Sequence, residues 1–206
     1  MDTWGRYDAE RKALADDLAD LEPAQWDTQS LCAEWKVRHV VAHLAYSNSV
    51  GVGRFLVGLV KSGFSFDRYM AEDARVTGSA PPESLLAALR ATVGVHKAPP
   101  IAKPVNMLVD TVCHAADIRR PLGVPRAVPE ETLVEVADAL HKVGFPLEAK
   151  RRVAGVRLVA RDAKWTAGDG PVAEGPLESL VLVMSGRRAG LVDLSGDGVG
   201  VLETRM

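Results

Sequence analysis

The stretch DTVCHAADIRRPLG, residues 110–123, contains residues whose types and spacing are typical of a metal site. Asp110 and His114 are four positions apart, so a helix would place a carboxylate and an imidazole on one side. Both groups are ligands for divalent metal ions. Asn106 and Asp117 continue the same polar stripe, which contains no Lys or Glu. An ordinary solvated face is the alternative, because a polar stripe beside an apolar one is common on surface helices.

A third ligand would have to come from another part of the chain, and His43 is the best supplier. It lies midway along a helix predicted over about residues 36–60, on the flank of that helix's apolar stripe. His39 is expected to be exposed near the start of the same helix. His96 and His141 lie near helix ends, where the helix dipole favours a protonated imidazole.

The elements that must position these residues are mostly helical up to Gly144. Helical periodicity and Pro/Gly boundaries predict helices over about residues 3–21, 36–60, 64–75, 81–95, 104–118 and 129–144. Glycines in the second helix predict a bend near residues 51–53. After Gly144, alternation around Leu158 predicts a strand, Pro176 opens a helix, and a final hairpin is expected around Ser195–Gly198.

This order of elements predicts an α+β fold with two domains. A helical bundle would occupy residues 1–146, and a small α+β domain would occupy residues 150–206. The 206 residues are 47% hydrophobic and 25% charged, which is typical of globular proteins with a core.

Charge and apolar patterning exclude several classes of protein. The net charge is −2, so nothing favours nucleic acid or an anionic membrane surface. The N-terminus has no apolar signal core, and apolar runs are shorter than the ~20 residues of a membrane span. We therefore expect a cytoplasmic protein. Cys32 and Cys113 form no CxxC pair, which excludes a zinc knuckle, and both are interpreted as small buried apolar residues.

Three segments resemble those of a known family. LCAEWKVRHVVAHLA is a Trp-containing loop followed by the helix with His43, and DTVCHAADIRRPLG is an acid-x-x-x-His helix that runs into Asp-x-Arg-Arg-Pro-Leu-Gly. Both resemble signatures of the mycothiol-dependent maleylpyruvate isomerase family, whose N-terminal domain is a DinB-like metal-binding four-helix bundle. Residues 155–198 resemble the small, sterol-carrier-like α+β domain that follows in that family.

The resemblance implies that His43, Asp110 and His114 bind a divalent metal, with zinc as the first choice. The family often has Glu where this chain has Asp110, so the metal would lie closer to the helix or accept a bridging water. Asp117 matches a recurrent acid of the signature and is the catalytic candidate. It is interpreted as a residue behind the ligands or as a partner of Arg120.

The resemblance also implies a reaction. Three protein ligands leave a coordination position open, where a thiol would lose its proton. This thiol would be mycothiol, the low-molecular-weight thiol of actinobacteria, and it would attack an electrophilic small molecule in an isomerase or S-transferase reaction. Arg187 and Arg188 are candidates to bind mycothiol at a cleft between the domains, although a solvated turn is the alternative. The protein would be a monomer or a homodimer.

Two other functions stay open at this point. One is a non-catalytic metal-binding or small-molecule-binding protein in which the polar stripe is structural. The other is a metal-dependent hydrolase with Asp117 as the base. Trp35 and Trp165 are expected to pack in the core or between domains. Cys113 is excluded as a ligand because it points about 100° away from its neighbour His114 on a helix.

Overall fold

The computed structural model describes residues 1–46, 57–58, 60, 62–63, 65–98, 102–144 and 147–206. It forms two compact units, residues 1–126 and 127–206, which are described separately below. Among the described residues, no helix combines the length and the apolar character that crossing a membrane requires.

The first unit contains five described α-helices. They are α1 (Thr3–Ala19), α2 (Val37–Tyr46), α3 (Phe66–Thr77), α4 (Pro82–Arg90) and α5 (Pro104–Leu122), and a 3-10 helix (Pro23–Asp27) follows α1. Sequence signals explain where these helices begin and end. The Asp2 side chain caps α1 by accepting from the Gly5 amide, and Gly123 ends α5 in the left-handed conformation, at φ 66°.

Four of these helices form a bundle. α1 and α2 each pack against both α4 and α5, and α3 packs on the outer side of α2. Their apolar stripes meet in a core that includes Leu14, Leu18, Val40, Leu44, Leu85, Leu89 and Ile118, all at most 2% exposed. Burial of these stripes is the main stabilising contribution to the bundle, as expected for amphipathic helices.

A buried arginine of α1 donates hydrogen bonds to α2, to α5 and to the segment after α4. Arg11 on α1 is fully buried, and its Nη1 donates to the carbonyl of Leu44 at 2.6 Å and to Thr92 Oγ1 at 2.8 Å. Its Nε donates to Thr111 Oγ1 at 3.3 Å. These bonds satisfy part of a guanidinium that would otherwise be costly to bury. The bond to the Leu44 carbonyl, near the C-terminal end of α2, links this end of α2 to α1.

The second unit places helices around a small sheet. Its elements are α6 (Glu130–Leu140), α7 (Ala149–Arg152), β1 (Arg157–Ala160), β2 (Thr166–Ala167), β3 (Val172–Gly175), α8 (Leu177–Met184), a 3-10 helix (Arg188–Asp193) and α9 (Gly198–Glu203). The strand order is β2-β1-β3, with β1 antiparallel to β2 and parallel to β3. Leu158 pairs with Ala173 in the parallel register. α8 packs on the sheet, and α6 packs on α8.

The structure differs from the sequence-based expectations at the end of the chain. α6 lies in the second compact unit, and the predicted domain boundary near residue 146 stays a prediction. The predicted final hairpin around Ser195–Gly198 is wrong: a 3-10 helix and α9 occupy this region, and Ser195 pairs with Glu174 of β3. The bend predicted near residues 51–53 lies outside the described residues.

Candidate metal centre

The packing of α2 on α5 brings the three predicted ligands together. His43 comes from the last turn of α2, where the neighbouring positions Ala42 and Leu44 are fully buried. Asp110 and His114 lie one turn apart on α5. The His43 side chain is 9% exposed, the Asp110 side chain 26% and the His114 side chain 13%. The stripe is therefore largely buried against another helix, which argues against the solvated-face alternative.

The donor atoms have the spacing of a metal site. His43 Nε2 lies 3.2 Å from Asp110 Oδ1, and His114 Nε2 lies 3.5 Å from the same oxygen. One ligand atom from each of the three residues can be chosen so that all lie within 4.8 Å of one another. In a tetrahedral zinc site with bonds of about 2.0–2.1 Å, two ligand atoms stand about 3.3 Å apart. Asp110 Oδ1 thus lies close to this spacing from both imidazole nitrogens.

The second oxygen of Asp110 gives an independent test of whether the residues fit a cation. Oδ2 is buried and has no hydrogen-bond partner among the described residues. Buried carboxylate oxygens are normally paired, because an unpaired one loses its hydration without compensation. A divalent cation is a partner that an unpaired acceptor oxygen next to two imidazoles can bind. The donor set of two imidazoles and one carboxylate suits zinc and related metals.

The surroundings of Asp110 and His114 favour the metal-binding form of each of these two side chains at neutral pH. Burial by itself raises the pKa of Asp110, but its interactions with His43, His114 and Arg11 lower it more, so this pKa lies well below its usual range. Burial lowers the pKa of His114, and its hydrogen bond to Asp117 opposes this only in part. The centre therefore presents a carboxylate and a neutral His114 imidazole.

Asp117 lies behind His114. Its side chain is fully buried, and its Oδ2 lies 2.8 Å from His114 Nδ1. Because a carboxylate only accepts, Nδ1 carries the proton and donates a hydrogen bond to Asp117, which leaves the Nε2 lone pair directed at the centre. This contact agrees with the interpretation of Asp117 as a residue behind the ligands. Full burial makes a role as a base acting on solvent water unfavourable.

Cys32 is part of the centre's surroundings, and sequence reasoning missed it. It is partly buried, its Sγ donates to Asp117 Oδ2 at 3.0 Å, and it lies 3.8 Å from His114 Nδ1. With His114 and Asp117 it forms a second group of ligand-type side chains. The expectation of a small buried apolar residue is wrong for Cys32, whereas Cys113 is buried as expected. A lone Cys in an irregular loop gave no signal.

Trp35 is the second residue whose role the sequence did not indicate. It was expected in general packing, and it is indeed buried in the bundle core. Its ring, however, lies directly against two of the candidate ligands, with centroids 5.0 Å from His43 and 5.6 Å from His114. The two imidazoles also meet edge to face at 4.8 Å. The indole therefore forms one wall of the centre.

The remaining predicted residues lie elsewhere. Arg187 and Arg188 are in the second unit, where Arg187 Nη1 donates to the Ser185 carbonyl at 2.8 Å and Arg188 is exposed. Their role in binding mycothiol stays a prediction. Trp165 also belongs to the second unit and donates to Asp138 Oδ1 at 2.9 Å.

The other three histidines, His39, His96 and His141, lie outside the centre. His39 is half-buried and accepts from the Lys36 amide at 3.2 Å, and His96 pairs with Asp8 at 2.8 Å. Among the described side chains, none of the three belongs to a group of three residues of metal-ligand type.

Comparison with known families fits this geometry. Residues 7–140 match the model of the mycothiol maleylpyruvate isomerase N-terminal domain, which covers well over half of the chain. The chain belongs to this family. The match contains the whole candidate centre, from Cys32 to Asp117, and it extends through α6. The family resemblance in the sequence is therefore confirmed, and where the domains divide stays a prediction.

Solved structures of this family extend the comparison to the fold of nearly the whole chain. The crystal structure of the mycothiol-dependent maleylpyruvate isomerase matches with a TM-score of 0.66 at 15% identity, over 95% of this chain and 91% of that one. A histidine-to-alanine mutant of that enzyme matches with a TM-score of 0.65 at 14% identity and the same coverage. No curated protein matches the sequence. At such identities the likeness concerns the fold, and it confirms the predicted class, a helical bundle with a small α+β part.

Proposed function

We propose that this protein is a divalent-metal-dependent enzyme that uses mycothiol as cosubstrate in an isomerase or S-transferase reaction on a small electrophile. The observation that carries the proposal is the convergence of His43, Asp110 and His114, with Asp110 Oδ2 buried and unpaired among the described residues. Membership of the mycothiol maleylpyruvate isomerase N-terminal domain family supports the choice of thiol.

The chain's own residues would hold the metal and shape its surroundings. His43 Nε2, Asp110 and His114 Nε2 are the ligands, and zinc is the first choice for this donor set. A zinc ion with three protein ligands supplies an open position in which a thiol is bound as the nucleophilic thiolate. Asp117 keeps the proton on His114 Nδ1 and so fixes the orientation of the ring. Trp35 covers one side of both imidazoles and limits access of water there.

Recognition of mycothiol needs hydrogen-bonding groups because mycothiol is a polar pseudodisaccharide. We keep Arg187 and Arg188 as the proposed contacts. Each guanidinium carries five N–H donors in a fork suited to oxygen-rich ligands, and Arg188 is exposed. A thiol cosubstrate requires a reducing compartment, so we place the protein in the cytoplasm.

Metal analysis tests the centre directly. The purified protein, loaded with zinc and dialysed, is expected to retain one zinc ion per chain. His43→Ala, Asp110→Ala and His114→Ala should lose it, whereas His39→Ala, from the same helix as His43, should keep it. Absence of zinc in the unmodified protein, or equal retention in all variants, would reject the metal-dependent function.

Turnover separates the proposal from its alternatives. The zinc form is assayed with maleylpyruvate, with and without mycothiol, and product is expected only when both are present. Metal binding without turnover of any electrophile would favour a non-catalytic binding protein. Product formed without added thiol would favour a hydrolase.

A further inference from the structure

We infer that Trp35 is a ligand-binding residue of this centre, whose indole N–H donates a hydrogen bond to a carboxylate or carbonyl oxygen of the bound small molecule. The inference rests on the proposed function, since it locates that molecule at the candidate metal centre. The Trp35 N–H requires the bound molecule to carry an oxygen acceptor, which the three candidate metal ligands do not require.

The indole nitrogen of Trp35 lacks the acceptor that a buried tryptophan normally has. Trp35 is only 8% exposed, and its Nε1 is buried without a hydrogen-bond partner among the described residues. Indole N–H groups usually find an acceptor when they are buried. Trp165 follows this rule in the second unit, where it is 7% exposed and donates to Asp138. The different state of Trp35 therefore needs an explanation at its own position.

A metal ion cannot satisfy the N–H group of Trp35. Two residues of the centre each carry a buried polar atom that is unpaired among the described residues, the acceptor Asp110 Oδ2 and the donor Nε1 of Trp35, whose ring lies against His43 and His114. A cation satisfies the acceptor. An N–H group needs an acceptor, and carboxylate and carbonyl oxygens are the strongest ones that a small metabolite offers. The centre is thus complete only when a cation and an oxygen-bearing molecule are both present.

The loop that carries Trp35 holds the indole in place. The Trp35 carbonyl accepts from the Ser30 amide at 3.1 Å and from Ser30 Oγ at 2.6 Å. The adjacent Leu31 amide donates to the Asp117 carbonyl at 3.1 Å, which fastens the loop to α5. A buried ring on a fastened loop cannot turn its N–H to solvent. The ring that lies against His43 and His114 is therefore held in one orientation, which lowers the entropic cost of using its N–H for binding.

The oxygen could belong to the thiol or to the electrophile, and two probes distinguish these sources. Protein labelled with ¹⁵N at its four tryptophans is titrated with mercaptoacetate, maleate and propane-1-thiol, in zinc-loaded and metal-free forms. The indole resonance of Trp35, assigned by its loss in Trp35→Phe, should move with an oxygen-bearing probe and stay unchanged with propane-1-thiol. A response to mercaptoacetate alone places the oxygen on the thiol, and a response to maleate places it on the electrophile. A resonance that responds to neither overturns the inference.

Affinity gives a second readout. Trp35→Phe keeps an aromatic ring against the imidazoles and removes the N–H. We expect about tenfold weaker binding of the probe that moves the resonance, which is typical of one lost hydrogen bond to a charged acceptor, and unchanged binding of propane-1-thiol. Trp165→Phe is the matched control and should bind both as the unmodified protein does. If Trp35→Phe binds the oxygen-bearing probe and propane-1-thiol equally more weakly than the unmodified protein does, Trp35 acts only through packing and the inference is overturned.

The two proposals can fail separately. If the unmodified protein takes up no zinc, the proposed function fails, and the response of the Trp35 indole to maleate in the metal-free form still tests the donor. If Trp35→Phe does not fold, the titration of the unmodified protein decides, with the resonance assigned through Trp4→Phe, Trp26→Phe and Trp165→Phe.

Discussion

Replacing Asp117 by Asn should weaken metal binding although the residue is not a ligand. In the native protein, Oδ2 accepts from both Cys32 Sγ and His114 Nδ1. If the amide nitrogen takes this position, two N–H groups oppose each other unless His114 moves its proton to Nε2, which removes the lone pair from the centre. If the amide oxygen takes it, the negative charge that makes the imidazole a better ligand is lost.

Both arrangements lower the affinity for zinc. Loss of such a supporting contact typically costs about tenfold to a hundredfold in metal affinity, which corresponds to about 1.4–2.8 kcal/mol. Zinc dissociation constants are measured by competition with a chelator of known affinity, and melting of the metal-free protein checks that the variant is folded.

Asp8→Asn is the matched control. Asp8 pairs with His96 at 2.8 Å, so the same Asp–His contact is removed away from the centre. This control should bind zinc like the unmodified protein. If Asp117→Asn and Asp8→Asn bind zinc equally well, Asp117 does not support His114, and the assignment of the Nδ1–H form is wrong.

Three further predictions concern stability. Acidification of the metal-free protein from about pH 7 to about pH 5 should destabilise it, because burial lowers the pKa of His114 below 6.5 and the unfolded chain takes up the proton first. Urea unfolding measures how the unfolding free energy changes with pH, and His114→Gln should make this change smaller. An equal pH dependence in the variant and the unmodified protein would contradict the prediction. Leu89→Ala should cost about 2–5 kcal/mol of unfolding free energy, since the side chain is fully buried, whereas Val76→Ala at a 59% exposed position should change it by less than about 0.5 kcal/mol. Gly123→Ala should cost about 1–2 kcal/mol at φ 66°, where an added Cβ meets nothing within 4 Å and the penalty is purely conformational; a neutral result in denaturant titration would refute this.

That the three candidate ligands lie together could be predicted from the sequence because each lies on a regular helix. The spacing of Asp110 and His114 fixes their common side, and the apolar stripe of α2 fixes where His43 lies relative to the core. The packing of α2 against α5 then brings them together, as the structure has it. That these side chains bind a metal is a chemical inference which the proposed experiments test.

The residues around the ligands could not be found in the same way. Cys32 and Trp35 lie in an irregular loop, where side-chain direction follows no period. Their contacts depend on the hydrogen bond between Leu31 and Asp117, residues far apart in the sequence. Such a bond leaves no pattern in the local sequence, so the thiol and the indole read as ordinary core residues.

The final hairpin was predicted from a local signal that a tertiary contact overrides. Asp197–Gly198 is a typical turn pair. In the structure, a Cβ at Gly198 would lie 2.7 Å from the Pro171 carbonyl oxygen and 2.8 Å from the Ala173 amide, so the glycine permits close packing against β3. Ser195 and Glu174 exchange two backbone hydrogen bonds of 2.9 Å, so the N–H and C=O groups of Ser195 pair with β3 and not with a hairpin partner.

The separation of His43 from Asp110 along the chain has a consequence for folding. The two residues are 67 positions apart, so neither α2 nor α5 contains a complete centre. An ion held there would act as a reversible cross-link between two distant segments, and its binding energy would add to the cohesion of the first unit. At a hundredfold excess over its dissociation constant, such an ion adds about 2.7 kcal/mol to folded-state stability. Metal uptake would thereby report that the bundle is assembled, and chelation would loosen it.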